Sequence, residues 1–198
     1  MAQFDPLGGS SFVQIPKCIA AKRAIVNIKS FDDRCFLYSV LAFSHFQDQD
    51  ASRVSKYRKL LKNLNVDGLT FPMTIAQVPA FELQNPDYSV NIILPNTKDK
   101  TFILHYASKY RNRKYLANLL LLDDGDRRHY TVIRDLGRLV ARRNFHHGRM
   151  CPCPYCLHCF ATANLLETHM PDCGTHGLQA VRYPTPGKNI LRFTNIQN

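Results

Sequence analysis

The chain has 198 residues, 45% of them hydrophobic, which suits one ordinary domain or one domain with a small appendage. Its 26 Lys and Arg outnumber 15 Asp and Glu, a formal net charge of +11 that favours nucleic acid, an acidic protein or an anionic surface as partner without choosing among them. No apolar run reaches the roughly 18 residues of a bilayer-spanning helix, and Met1 to Ser10 lack the apolar stretch of a secretory leader, so the expectation is an intracellular protein, cytoplasmic or nuclear, with no membrane partner.

Residues 1–21 read as a flexible N-terminus, with a mobile Gly- and Ser-containing start over 1–10. Ala24 to Ile28 (AIVNI) predicts a short strand and Ser30 to Arg34 a polar turn. Cys35 to Phe46 (CFLYSVLAFSHF) is apolar almost all round, the pattern of a buried helix, with Asp32 or Asp33 able to cap its start. Ser52 to Leu64 predicts a second helix, with Val54, Tyr57, Leu60, Leu61 and Leu64 at helical spacing and a basic opposite face. Asp67-Gly68 marks a turn, and Pro72, Pro79 and Pro86 punctuate an irregular stretch. Strands are expected at Tyr88 to Leu94, Thr101 to Tyr106 and Leu116 to Leu122. The last leads through Asp123-Asp124-Gly125-Asp126 into a fourth, His129 to Arg134, a hairpin signal. A strand, two helices and a meander of strands predict an α+β domain over 22–140, followed by a basic connector over 141–150.

Five of the seven Cys fall between Cys151 and Cys173, a cluster that reads as metal binding rather than as a disulfide framework. Taking Cys153 and Cys156 as the first pair leaves twelve residues before His169 and three more before Cys173. This is the spacing of a zinc finger whose two-Cys knuckle faces a short helix. Phe160 and Leu166 occupy the positions of its small core, whereas a register using Cys156 and Cys159 misplaces Phe160. Cys151 and Cys159 are then spare, and Pro171 should end the helix. The finger spans 151–176 and a C-terminal extension 177–198 follows. The helix positions that would read bases are Thr162, Leu165 and Thr168, none of them an Arg, Lys, Asn or Gln, so the finger reads as a structural or protein-contacting module.

Cys35 opens the most apolar helix, where the positive end of the helix dipole favours a thiolate. His129 opens a strand, and a base on a strand facing a thiol at a helix end is the general Cys–His arrangement. Asp135, six residues on, is a candidate to orient the imidazole, and Asp32 to shape a loop whose amides would hold an oxyanion. The same residues also suit a core thiol and a surface histidine, and spacing does not decide between these readings.

The ordered segments NIKSFDDRCFLYSVLAF, RVSKY, FELQNPDYSVNI and NLLLLDDGDRRHYTVIRDLGRLV, then the finger and GKNILRFTNIQN, resemble the region upstream of the protein-primed family B DNA polymerases of Polinton/Maverick elements and related DNA viruses. That region is similar to ovarian-tumour-class, papain-like cysteine peptidases. The resemblance implies a papain-like fold, helices packed on an antiparallel sheet, with Cys35 as nucleophile, His129 as base and Asp32 three residues before the Cys. Two positions depart from the pattern. Asp33-Arg34 stand where Gly-Asn is usual, and Thr131 stands where an acidic or amide partner is expected, which leaves Asp135 as its substitute. The implied substrate is a ubiquitin-like conjugate or a polyprotein, and the implied partner a family B DNA polymerase. The rival reading is an inactive binding module in which Lys56, Arg58, Lys59, Lys109, Arg111, Arg113, Lys114, Arg142 and Arg143 hold nucleic acid by its phosphates.

Overall fold

The computed structural model describes residues 12–96, 99–125, 127–141 and 150–176. Met1 to Ser10, the connector residues 142–149 with Arg142 and Arg143, and the extension 177–198 lie outside the described residues.

The expected α+β architecture is present. A one-turn helix α1 (Lys17–Ala20) and a two-residue strand β1 (Ile25–Val26) precede the buried helix α2 (Cys35–Ser44). Residues 12–21, expected as flexible, instead bury Val13 and Ile19. Eight of the ten α2 residues are buried, as an all-round apolar helix requires, with Phe36 edge-on to the rings of Phe81 and Tyr130 at 5.1 and 5.2 Å. The second predicted helix is only a turn, α3 (Ser55–Arg58), that tightens into 3-10 geometry over Lys59–Asn63. The Asn85 amide explains where it stops: its Oδ1 accepts from Asn65 N at 2.9 Å and its Nδ2 donates to Asn65 O at 2.7 Å, tying the chain down beyond the turn.

The stretch expected to be irregular contains α4 (Val78–Gln84), preceded by a 3-10 turn that Thr74 and Gln77 close with a reciprocal capping box. Pro79 lies in the first turn of α4, where a missing N–H costs nothing, so the proline marks a helix start and not a break.

Strands β2 (Tyr88–Asn96), β3 (Thr101–Tyr106), β4 (Tyr115–Asp123) and β5 (Arg128–Ile133) form one sheet in the order β1-β5-β4-β2-β3. It is neither a meander nor purely antiparallel: β4 returns beside β2 and pairs with it in parallel, leaving β3 at the edge. Both faces are covered, which is why Leu119 to Leu122 can all be buried in one strand. Leu119, Leu121, Val90, Ile92, Tyr130 and Val132 face α2 and α4, whereas Leu120, Leu122, Ile93 and Ile133 meet Val13, Ile19 and Leu139. Leu139 belongs to a short helix, α5 (Leu136–Val140), at the end of the 22–140 domain. Among the described residues no helix is long and apolar enough to cross a membrane.

Arg113 and Glu82 fasten α4 to the sheet. The buried Glu82 carboxylate accepts from Val90 N at 2.7 Å and from the Tyr106 hydroxyl at 2.6 Å. The Arg113 guanidinium lies over the Tyr110 ring at 3.5 Å and donates to the carbonyls of Glu82, Asn85 and Tyr88. Arg113→Ala should therefore lower unfolding free energy by about 2–3 kcal/mol in urea titrations, while Lys109→Ala, at an exposed position, should change it by less than about 0.5 kcal/mol.

Candidate metal centre and Cys–His pair

The finger is a small hairpin, β6 (Cys151–Pro152) with β7 (Cys159–Phe160), followed by α6 (Ala163–His176). Leu157 takes the left-handed conformation (φ 61°) that closes the knuckle, with its N–H on Cys153 O and the Cys153 N–H on His158 O, both at 2.8 Å. The knuckle turns Cys153 and Cys156 towards His169 and Cys173, four residues apart on one face of α6. The four ligand atoms lie within 4.8 Å of one another.

The geometry suits a tetrahedral ion. Metal–sulfur bonds of about 2.3 Å place two ligand sulfurs about 3.8 Å apart, and Cys153 Sγ and Cys173 Sγ are 3.7 Å apart. Cys156 Sγ and His169 Nε2 are 3.3 Å apart. Burial, and then the neighbouring Cys156 sulfur, push the Cys153 thiol up, and burial raises Cys156 as well. Thiolates so placed call for a cation. Tyr155, Phe160, Leu166 and Met170 surround the cluster. Pro171 does not end α6 as expected. The helix runs through it to His176, because His169 and Cys173 can reach one ion only while helical geometry persists between them. The spare Cys151 and Cys159 lie in the hairpin, outside the ligand group.

The finger is seated on the sheet. Asn91 on β2 is fully buried, and its Nδ2 donates to Pro154 O at 2.9 Å and to Asn118 Oδ1 at 3.0 Å. Arg111 donates to Cys173 O at 3.1 Å and lies 4.2 Å over the Tyr155 ring. Arg111 and Arg113, read as phosphate contacts, are thus structural cations. Lys56, Arg58, Lys59, Lys109 and Lys114 are exposed. On α6, Thr162 accepts from Leu165 N, Thr168 bonds back to Asn164 O, and Leu165 is exposed.

At the other candidate site Cys35 begins α2 and is fully buried. Burial pushes its thiol up to about 11, against the N–H groups of Tyr130 and Phe36, which hydrogen-bond the sulfur and lower it. Tyr130 directly follows His129 in β5. Ser39, one turn along α2, donates to Tyr130 O at 2.9 Å. The Tyr130 hydroxyl is buried nearby with no hydrogen-bond partner among the described residues. His129 is no surface residue: it is fully buried, its Nε2 is 3.1 Å from Ile28 O, and the Phe12 ring packs edge-on at 5.7 Å.

Asp32 does not cap α2, whose N-cap is Arg34 without a side-chain bond. It shapes the entry loop, accepting from Arg34 N at 3.1 Å and from the Tyr38 hydroxyl at 2.9 Å. Asp135 is not brought to His129. Six residues of nearly extended chain separate them, roughly 15–20 Å, and its carboxylate caps α5 by accepting from Arg138 N at 2.9 Å while pairing with Arg138 Nε at 3.4 Å. A cleft between α4 and the end of β3, lined by Pro79, Leu83, Tyr106 and Tyr110 among others, includes neither Cys35 nor His129. Comparisons of the chain with protein-family models, curated proteins and solved structures find no match.

Metal analysis should find one ion per chain. Cys156→Ser and His169→Ala should lose it, Cys151→Ser and Cys159→Ser should retain it, and chelation should lower the melting midpoint of the whole chain because the knuckle is clamped to β2. The folded state holds the Cys35 proton more tightly than the unfolded chain. Its contribution is therefore complete below pH 9 and is lost as pH rises towards 11. Cys35→Ala should flatten that alkaline decline, a difference on the order of 2 kcal/mol between unfolding titrations at pH 8 and pH 11.

Proposed function

We propose that residues 22–140 form a papain-like cysteine hydrolase of the ovarian-tumour class, joined to a structural zinc finger and working in the replication system of a Polinton-like element or DNA virus. The observation that carries the reading is the seating of α2 on β5, where Ser39 donates to Tyr130 O at 2.9 Å one turn beyond Cys35, which sets a thiol at a helix start near the residue following a buried histidine. In the reaction the Cys35 sulfur bonds to a peptide or isopeptide carbonyl carbon as His129 takes the thiol proton. His129 then returns that proton to the departing amine as the C–N bond breaks, and water, deprotonated by His129, releases the acyl group. The buried sulfur rests as a thiol, so proton transfer accompanies attack and does not precede it. N–H groups near Cys35 would hold the oxyanion. The substrate is a ubiquitin-like conjugate or a polyprotein, and Phe12 must leave the His129 ring for it to enter.

Three thiolates and one imidazole in tetrahedral array are the donor set of zinc, and four protein ligands leave no position for substrate, so the metal is structural.

A second reading has its own support in the complete burial of Cys35. An inert core thiol would leave the exposed cations Lys56, Arg58, Lys59, Lys109 and Lys114 as a surface for nucleic acid or a polymerase. A ubiquitin vinyl sulfone and a peptide vinyl sulfone separate the two. The hydrolase reading expects covalent labelling confined to Cys35, abolished in Cys35→Ala and slowed at least about 100-fold in His129→Ala. No labelling by either probe, together with salt-dependent DNA binding that survives Cys35→Ala, would establish the binding module instead.

A further inference from the structure

We infer that a main-chain carbonyl, Ile28 O, holds the place of the third catalytic group and fixes the tautomer of His129; this rests on the hydrolase reading. A carbonyl oxygen only accepts hydrogen bonds, so the ring nitrogen 3.1 Å from it, Nε2, must carry the hydrogen. In the neutral ring Nδ1 is then the basic nitrogen, the one able to take a proton from a thiol. A carboxylate or amide side chain behind the imidazole would impose the same choice, and this chain supplies it from the backbone.

The side chains that sequence offers for the role are engaged elsewhere. Asp135 caps α5 and pairs with Arg138. Thr131, two residues after His129, donates its hydroxyl to Leu120 O at 3.3 Å. Both Asp32 oxygens are occupied by Arg34 N and Tyr38. The carbonyl, by contrast, is aimed. Ile28 O also accepts from Ser30 N at 2.8 Å, a tight turn that leaves the second lone pair for the ring, and the next amide, Lys29 N, is fixed on Ser52 O at 2.9 Å. Ile28, Ser30 and His129 are all buried, so water does not compete for the bond. A carbonyl dipole stabilises an imidazolium less than a carboxylate does. Burial meanwhile keeps Cys35 a thiol at rest.

The test uses the full chain with 15N-labelled histidine. Long-range 1H–15N correlation near neutral pH reads each ring's tautomer, and loss of one pattern in His129→Gln assigns it. The expected result is protonated Nε2 and unprotonated Nδ1 for His129, unchanged in Asp135→Ala, with the rate of Cys35 labelling by the vinyl sulfone probes altered less than about twofold in that variant. Protonated Nδ1, or a tenfold or larger loss of labelling in Asp135→Ala, would overturn the assignment. A wild-type chain that shows the Nε2–H form but no labelling would defeat the hydrolase reading and the catalytic role, while the tautomer itself would still place the hydrogen bond on Ile28.

Discussion

The early end of β1 is the constraint on which the site depends. Its pairing with β5 stops at Val26 opposite Val132, so Tyr130, two residues further along β5, has no strand neighbour on that side. The α2 helix takes the vacant edge. Ser39 donates to the Tyr130 carbonyl, a bond that holds an apolar helix in a defined register on the sheet, with Cys35 one turn before it. Had β1 continued, that carbonyl would belong to a sheet ladder and the thiol would sit elsewhere. The residues that leave the ladder are also put to use. Asn27 Nδ2 anchors Val13 O, and Ile28 turns its carbonyl to His129.

The finger closes the opposite side of the same sheet. Asn91 could not be buried in a central strand without partners, and it has them in Pro154 O, Asn118 and the Ser108 N–H. Leu116 from β4 packs into the finger's core, and Leu157 from the knuckle packs against the second sheet cluster. A unit this small cannot bury enough apolar surface to order itself without metal. The ion thus orders the knuckle, and the knuckle satisfies the β2 amide.

Where the pattern in sequence was strong, it located the elements. The apolar run from Cys35, the apolar runs of β2, β4 and β5 with the Asp-Gly hairpin signal, and the Cys/His spacing were each readable locally. What could not be read depended on partners distant in sequence. The stop after Asn63 follows from Asn85, and the parallel return of β4 beside β2 follows from pairings that no local signal carries. Pro79 and Pro171 were both taken as breakers. One opens a helix, and the other lies inside a helix that two metal ligands require to continue. Among the site residues the sequence could nominate only side chains, so Asp135 stood for the contact to His129 that the Ile28 carbonyl makes. A carbonyl has no letter of its own in a sequence.

The buried thiol and the covered imidazole belong to one arrangement. Phe12 lies on His129 and 6.0 Å from Phe31, while Phe31 itself, four residues before Cys35, is 83% exposed. Phe12 bridges it to the His129 ring. Withdrawing Phe12 would expose the ring, admit water to the Cys35 sulfur and lessen the desolvation that keeps it a thiol. On the proposed hydrolase reading, entry of substrate and activation of Cys35 would then be the same movement.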